Sequence, residues 1–196
     1  MTLDPTQLAG DVSDRSILVG LAGGISCYKT ATLVSRLAQA GAHVTVTMTE
    51  SAARFITPLT FQALSGRPVY TSQWEHIESS DPQHIALADR ASAAIVAPCT
   101  MDMLGKLATG RTDDVVTLIL SAVDRRKTPV LLAPAMNDAM WEQPATKRNV
   151  DQLQQDGFRM VGPGEGWQAC RHVGTGRMAE PEVIAAALIE ALRRRA

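Results

Sequence analysis

The fold of this chain is decided by the stretch Ile17-Leu18-Val19-Gly20-Leu21-Ala22-Gly23-Gly24-Ile25-Ser26-Cys27-Tyr28-Lys29. Its apolar beginning predicts a buried strand, and residues 30–40 carry apolar side chains at helical spacing. Glycines at the junction let a ligand approach the backbone, and the N–H groups that begin a helix suit a phosphate. The stretch completes neither the dinucleotide fingerprint nor a P-loop, so a strand-to-helix turn without a ligand is the alternative.

Strands and helices alternate along the rest of the chain. Strands are predicted at residues 43–48, 93–97, 129–133 and 158–161, with a short extended piece at residues 69–70. Helices are predicted at residues 58–64, 103–109, 115–123, 144–155 and 181–194. This alternation predicts an α/β fold, a three-layer doubly wound parallel sheet of flavodoxin-like or Rossmann-like type. We expect a single domain over residues 17–196, preceded by a flexible N-terminal leader at residues 1–16.

Composition excludes several classes of function. Hydrophobic residues make up 45% of the chain and the formal charge is −1, which gives no electrostatic basis for binding nucleic acid or an anionic membrane. No apolar run has membrane-spanning length, and the N-terminus lacks the basic and apolar regions of a signal peptide. The three cysteines are widely spaced, which favours free thiols and a reducing compartment. We therefore expect a cytoplasmic protein.

Four predicted strands end in segments that are unusual for plain connections. They are Gly24-Ile25-Ser26, Thr49-Glu50-Ser51, Pro98-Cys99-Thr100-Met101-Asp102 and Pro134-Ala135-Met136-Asn137. The carboxyl ends of parallel strands meet at one edge of the sheet, where open α/β folds bind ligands. The sequence therefore predicts a site for a flat, phosphate-bearing cofactor at this edge. Capping of the following helix by a hydroxyl of the second segment is the alternative for Ser51.

Residues 162–176 are rich in glycine and are predicted to form a loop that cannot pack as a regular element. Loops of this length are often functional lids, and this one carries Cys170. The spacing of Cys170 and His172 is too close for a zinc site, and no second pair has ligand spacing. A serine hydrolase is also not predicted, because the chain has no Gly-x-Ser-x-Gly elbow.

Five of these features occur in an order that resembles the homo-oligomeric flavin-containing cysteine decarboxylase family. The resemblance covers residues 17–184. Its most discriminating parts are the Pro-Ala-Met-Asn motif and the cysteine-bearing loop. The matching segments are Gly23-Gly24-Ile25-Ser26-Cys27-Tyr28-Lys29, His84 before an Ile-x-Leu-Ala run, Pro98 to Asp102, Pro134 to Asn137, and Ala169-Cys170 with Gly174-x-Gly176-Arg177-Met178.

The resemblance implies FMN-dependent decarboxylation of 4′-phosphopantothenoylcysteine to 4′-phosphopantetheine, a step of coenzyme A biosynthesis. In that chemistry FMN oxidises the cysteinyl thiol so that the carboxylate can leave, and the electrons are then returned. The family also implies a homotrimer or a multiple of trimers, with FMN bound between subunits. His84 would then act on a flavin held mainly by a neighbouring chain.

The resemblance also assigns roles to individual residues. His84 would be the base, Asn137 would hold the substrate carboxylate through its amide, and Cys170 would protonate the ene-thiol. The implied FMN contacts are Gly24, Ile25, Ser26, Thr49, Ser51, Pro98, Thr100, Met101 and Asp102. The implied substrate contacts are Ala135, Met136, Asn137, Ala169, Arg177 and Met178. Two positions depart from the family pattern: Asp102 stands where the family motif has asparagine, and Arg171 where glycine often follows the cysteine.

Simpler structural explanations exist for the three catalytic candidates. His84 would be a capping group at a helix start, Asn137 an Asx turn, and Cys170 a small buried residue. Three other functions remain open within the same fold. They are a peptidyl-cysteine decarboxylase of lantibiotic type, a flavin prenyltransferase, and a non-catalytic flavoprotein that regulates a phosphatase.

Overall fold

A six-stranded parallel sheet forms the centre of the molecule. The computed structural model describes residues 4–75 and 82–194. The spatial order of the strands is β3-β2-β1-β4-β5-β6, and every neighbouring pair is parallel. The predicted doubly wound parallel sheet is confirmed. Its strands are β1 (Ser16–Leu21), β2 (His43–Met48), β3 (Val69–Tyr70), β4 (Ala93–Cys99), β5 (Val130–Pro134) and β6 (Arg159–Met160).

Helices cover both faces of this sheet. They are α1 (Pro5–Val12), α2 (Cys27–Gln39), α3 (Glu50–Ala53), α4 (Pro58–Ser65), α5 (Gln83–Arg90), α6 (Met101–Ala108), α7 (Val115–Ala122), α8 (Asp138–Trp141), α9 (Pro144–Gln155) and α10 (Pro181–Arg193). None of those helices is long and apolar enough to cross a membrane. The loop predicted at residues 71–83 falls partly outside the described residues, because residues 76–81 are not among them.

The core is divided by the sheet into two clusters. Ile17 and Val19 of β1 point into the cluster that contains residues of α1, α2 and α10. Leu18, between them, points into the cluster beneath α5, α6 and α7. Burying each such side chain contributes about 1.5–3 kcal/mol. Strands buried on both faces require nearly continuous apolar runs, which is the pattern that predicted them.

The N-terminal segment is a packed helix, so the predicted flexible leader is wrong for residues 5–12. Leu8 and Val12 are four residues apart, lie on one face of α1 and are buried in the core. Asp4 caps the helix through the N–H of Thr6. Asp11 accepts two hydrogen bonds from the Arg193 guanidinium, at 2.7 and 2.9 Å, which ties α1 to α10. Two apolar side chains at the right spacing are enough to dock this short helix.

The glycine-rich segment is also ordered, so the prediction that it cannot pack as an element is wrong. It forms an antiparallel hairpin of β7 (Gly164–Trp167) and β8 (Val173–Arg177). Gly166 and Gly176 have φ of +154° and +139°, conformations that other residues rarely adopt. The glycines therefore allow this hairpin to form and to approach its neighbours closely.

Candidate active site

A cleft of about 920 Å³ opens at the carboxyl edge of the sheet. Its walls are the turns that follow β1, β2, β4 and β5, together with the β7–β8 hairpin. The structure brings most of the predicted site residues together here. Those that line the cleft are Gly24, Ile25, Ser26, Thr49, Ser51, Thr100, Met101, Asp102, Ala135, Met136, Asn137, Ala169, Cys170, Arg177 and Met178.

Two predicted site residues, Pro98 and His84, are not part of the cleft lining. Pro98 is buried within β4, which runs past its predicted end, and a Cβ added at Gly24 would lie 3.7 Å from the Pro98 Cγ. Pro98 therefore lies against the first turn of the site without lining the cleft. His84 lies half-buried in the first turn of α5, which packs against α7. Because α5 leads back to the start of β4, His84 lies at the level of the carboxyl edge.

The turn between β1 and α2 offers an anion site. Ser26 is the N-cap of the 13-residue helix α2, yet its side chain makes no capping hydrogen bond. Gly23 packs directly on the turn after β2, because a Cβ at Gly23 would lie only 2.9 Å from the backbone carbon of Ser51. The N-terminus of α2 and a serine hydroxyl that does not cap the helix thus line the cleft together, an arrangement that favours a phosphate.

The hydroxyls of two other cleft residues are helix caps. The Thr49 hydroxyl accepts a hydrogen bond from the Ala52 N–H at 3.1 Å, and the Thr100 hydroxyl accepts one from the Met103 N–H at 3.3 Å. The cap of α3 is therefore Thr49, whereas Ser51 lies exposed within that helix. The cap at Thr100 also explains why α6 begins two residues before its predicted start.

The amide of Asn137 has a fixed orientation. Its Oδ1 accepts a hydrogen bond from the Ala139 N–H at 2.9 Å, and Asn137 is the N-cap of α8. Because a backbone N–H can bond only to the oxygen of the amide, the NH₂ group must lie on the other side. There Nδ2 donates to the Sγ of Cys170 at 3.3 Å. The Asx turn and a role in the cleft are therefore compatible.

The exposed thiol of Cys170 has two further polar neighbours. It donates to the Oε1 of Gln168 at 3.2 Å, and it lies 3.3 Å from the Nδ1 of His172. The Nε2 of His172 lies 2.9 Å from the Oδ1 of Asp138. A hydrogen bond from His172 holds the pKa of the Asp138 carboxyl below its usual value. Sequence reasoning missed the pairing of His172 with Asp138, and their separation along the chain gives no local signal for it.

Two glycines of β8 determine how closely the hairpin approaches Asn137. A Cβ at Gly174 would lie 2.9 Å from the Oδ2 of Asp138. One at Gly176 would collide with the carbonyl oxygen of Met136, and the Gly176 carbonyl accepts a hydrogen bond from the Met136 N–H at 2.9 Å. The Gly-x-Gly spacing in the motif therefore lets β8 pack against the backbone of the turn that carries Asn137.

An ion pair joins two walls of the cleft. The buried Nζ of Lys29 on α2 lies 2.9 Å from the Oε1 of Glu180, which also pairs with Arg177 at 2.6 Å. The hydrogen bond from Lys29 lowers the pKa of the Glu180 carboxyl. In the sequence Lys29 is distinguished only by its place at the end of the glycine-rich turn, and its partner 151 positions away cannot be predicted from local pattern.

A second charged group lies around Lys106 on α6. Its Nζ approaches the carboxylates of Asp102, Asp113 and Asp114 at 3.4, 3.1 and 3.0 Å. Burial alone would lower the pKa of Lys106, but the hydrogen bonds to Asp114 and Asp113 outweigh it and raise that pKa. Asp102 therefore pairs with a cation one turn further along the same helix. The four-residue spacing of Asp102 and Lys106 was visible in the sequence.

One buried polar atom of the cleft lacks a partner. The Nε2 of Gln168 makes no hydrogen bond to any residue in the described ranges 4–75 and 82–194. An unsatisfied buried donor costs about 1–3 kcal/mol, so a ligand that accepts a hydrogen bond here would be stabilised. Clusters of acidic, histidine and cysteine side chains that could hold a metal ion were not found in those same ranges.

Comparison with known sequences places this chain among flavoproteins. The profile of the Flavoprotein family matches residues 6–193. The coenzyme A biosynthesis bifunctional protein CoaBC of Bacillus subtilis (strain 168) is 49% identical over 173 residues, which are 88% of this chain and 42% of that protein. CoaBC of Escherichia coli (strain K12) is 41% identical over 173 residues, with the same coverage. The chain thus spans less than half the length of these relatives.

Solved structures give the same result. A PPC decarboxylase mutant complexed with pantothenoylaminoethenethiol has a TM-score of 0.83 and 30% identity, covering 92% of this chain and 99% of that one. The FMN binding protein AtHal3 has a TM-score of 0.80 and 30% identity, covering 93% and 99%. The FMN-dependent cysteine decarboxylase SpaF has a TM-score of 0.79 and 29% identity, covering 93% and 98%. The chain belongs to the Flavoprotein family.

Proposed function

We propose that this chain is an FMN-dependent decarboxylase that converts 4′-phosphopantothenoylcysteine to 4′-phosphopantetheine in coenzyme A biosynthesis. One observation carries the proposal: the Asn137 amide donor and the Cys170 thiol, 3.3 Å apart, face a cleft that also contains the N-terminus of α2. The relatives named for coenzyme A biosynthesis and for PPC decarboxylase support this substrate. A cytoplasmic location belongs to the same proposal.

The residues of the cleft fit FMN. The hydroxyl of Ser26, which does not cap α2, and the N-terminus of that helix suit its phosphate, while Thr100 and Met101 line the same cleft and would contact its ring system. Because Gly23 approaches Ser51 closely, the turns that follow β1 and β2 pack against each other and form one continuous surface. When bound, FMN would supply a reversible two-electron acceptor for the substrate thiol.

The protein's own residues bind and protonate the substrate. Asn137 Nδ2 is a neutral donor for the carboxylate, and it would not hold that group as tightly as a guanidinium, which favours release. The Cys170 thiol, beside this amide, would deliver a proton to the ene-thiol that decarboxylation leaves. Trp167, Gln168 and Ala169 of the hairpin line the cleft and would exclude water from this step.

The proposed assembly is a homotrimer or a multiple of trimers in which His84 acts on the site of a neighbouring subunit. The position of His84 at the carboxyl edge, outside the cleft of its own chain, supports this arrangement. Ile25 and Tyr28, 58% and 61% exposed, provide apolar surface at the cleft for a second copy to cover. A second copy of the chain would therefore complete the site.

The function is tested by incubating the flavin-loaded protein with 4′-phosphopantothenoylcysteine and measuring carbon dioxide and 4′-phosphopantetheine. We expect turnover in the parent protein, an oxidised intermediate that accumulates with Cys170→Ser, and no turnover with His84→Asn. A peptide that ends in cysteine is the second substrate. Decarboxylation of that peptide alone would replace this proposal with a peptidyl-cysteine decarboxylase, and a colourless protein unable to take up FMN would refute it.

The shared site is tested by co-expressing the His84→Asn and Cys170→Ser chains. If His84 and Cys170 act from different subunits, random mixing restores about a quarter of the sites. Each variant expressed alone is the control and is expected to be inactive. Co-expressed chains that remain inactive while sedimenting as mixed oligomers would contradict the arrangement across subunits.

A further inference from the structure

Three proton-binding side chains are in contact next to the cleft, two of them in the turn of the β7–β8 hairpin and one on α8. Cys170 Sγ lies 3.3 Å from His172 Nδ1, and His172 Nε2 lies 2.9 Å from Asp138 Oδ1 on α8. The turn is fixed in shape: Arg171, between them, has φ of +69°, and the Arg171 N–H donates to the Gln168 carbonyl at 3.0 Å. The imidazole thus bridges the hairpin and the helix next to the cleft.

The chemistry of these groups defines where the protons lie. An ionised carboxylate only accepts hydrogen bonds, so Asp138 requires a proton on His172 Nε2. In the neutral ring Nδ1 is then bare, and the single proton of the Cys170 thiol is shared between the acceptors Gln168 Oε1 and His172 Nδ1. In the charged ring Nδ1 carries a proton and donates to the thiolate. Both states use the same geometry and differ by the transfer of one proton between Sγ and Nδ1.

Two neighbours hold the Cys170 sulfur in place. Asn137 Nδ2 donates a hydrogen bond to Sγ, and Gln168 Oε1 accepts one from it. The hydrogen bond from His172 keeps the pKa of the Asp138 carboxyl low, so the negative charge beside the ring persists at neutral pH. Cys170 and Asp138 are the titratable groups in contact with His172 among the described residues.

We propose that His172, oriented by Asp138, is the positioning residue that restores the proton of Cys170 during turnover. The inference rests on the proposed function, in which Cys170 gives its Sγ proton to the substrate. The resulting thiolate faces the neutral ring, whose Nδ1 takes a proton from solvent, to which the His172 side chain is 42% exposed. Nδ1 then passes this proton to Sγ, and the ring keeps its Nε2 proton hydrogen-bonded to Asp138. No electrons are transferred in these steps.

The first test is independent of decarboxylation. Iodoacetamide reacts with the thiolate form of cysteine. The alkylation rate of Cys170 in the flavin-loaded protein at pH 7 therefore reports on the fraction of Cys170 that has given up its Sγ proton. We expect about a tenfold lower rate in His172→Gln and a smaller decrease in Asp138→Asn. His43→Gln changes an exposed histidine at the start of β2, away from the cleft, and is expected to react at the parent rate.

The second test distinguishes proton delivery from a merely structural role. In His172→Ala, steady-state product formation is expected to fall and then to recover as imidazole is added, in proportion to the concentration of its protonated form. Cys170→Ser should show no such recovery. Circular dichroism of each variant confirms that the fold is retained, and His172→Gln replaces His172→Ala in the rate comparison if the latter does not fold.

The outcomes separate this inference from the proposed function. A less than threefold change in alkylation rate in folded His172→Gln would overturn the role of His172, and so would the absence of rescue. If the parent protein releases no carbon dioxide, the proposed function fails, and the alkylation rates alone then decide the role of His172. A decrease of threefold or more supports it in that case.

Discussion

Replacing Glu180 by alanine should destabilise the protein far more than replacing its partner Lys29 by methionine. The Lys29 side chain is 8% exposed, and its ammonium has the Glu180 carboxylate at 2.9 Å and the Met178 carbonyl at 3.5 Å. Removal of one partner of a fully buried pair costs about 3–5 kcal/mol. Glu180 is 45% exposed, so water can reach the remaining charge, and we expect Glu180→Ala to lower the free energy of unfolding by about 2 kcal/mol.

The substitution of the other partner, Lys29→Met, leaves no buried charge without its partner. Lys29→Met keeps the apolar stem and removes the ammonium, while Glu180 retains Arg177 and access to water, so we expect a loss of about 0.5 kcal/mol. The double variant should resemble Lys29→Met. Urea unfolding at pH 7 measures all three, with Glu190→Ala as the control because its pair with Arg194 is exposed on both sides. A larger loss in Lys29→Met than in Glu180→Ala would refute the reasoning.

Three further predictions concern the thiols, the first glycine turn and acid. Native protein should lose one thiol to iodoacetamide, Cys170, because the other two are buried and burial raises their pKa, and denatured protein should lose three. Gly23→Ala should lower the free energy of unfolding by about 1–3 kcal/mol because its Cβ would overlap Ser51, whereas Gly24→Ala, with contacts no closer than 3.7 Å, should cost less than about 1 kcal/mol, both read from urea midpoints. The depressed pKa of Glu180 means that its ion pair stabilises the fold above the unfolded pKa of about 4.3 and that this stabilisation is lost as pH falls below it. Urea midpoints measured from pH 6 to pH 3 should therefore fall less steeply in Glu180→Gln than in the parent protein.

The sequence was sufficient to predict the sheet because its strands are buried on both faces. Continuous apolar runs such as residues 17–21 and 93–97 have few alternative structures, and the alternation with helices determines a parallel order. The convergence of four strand ends at one edge follows from that order alone. The cleft residues at these ends could therefore be predicted before any contact was known.

Local pattern failed where few residues or distant partners decide the structure. The helix at residues 5–12 depends on two buried side chains, Leu8 and Val12, which a composition argument overlooks. The hairpin depends on glycines that adopt positive φ angles. In the sequence, a segment so rich in glycine indicates a loop instead. His172 and Asp138 are in contact although 34 positions separate them, and a pattern within one element cannot report such a pair.

The same physical reasoning explains why the motif around Cys170 contains two glycines. The amide of Asn137 and the thiol of Cys170 belong to different elements, and their 3.3 Å separation requires β8 to lie directly on the turn after β5. Side chains at positions 174 and 176 would occupy that space, because Gly174 faces the Asp138 carboxylate and Gly176 faces the Met136 carbonyl. The two glycines therefore affect the site only by allowing β8 to lie this close to the turn that carries Asn137. Any change that lifts β8 from this turn should separate donor from thiol and His172 from Asp138 together.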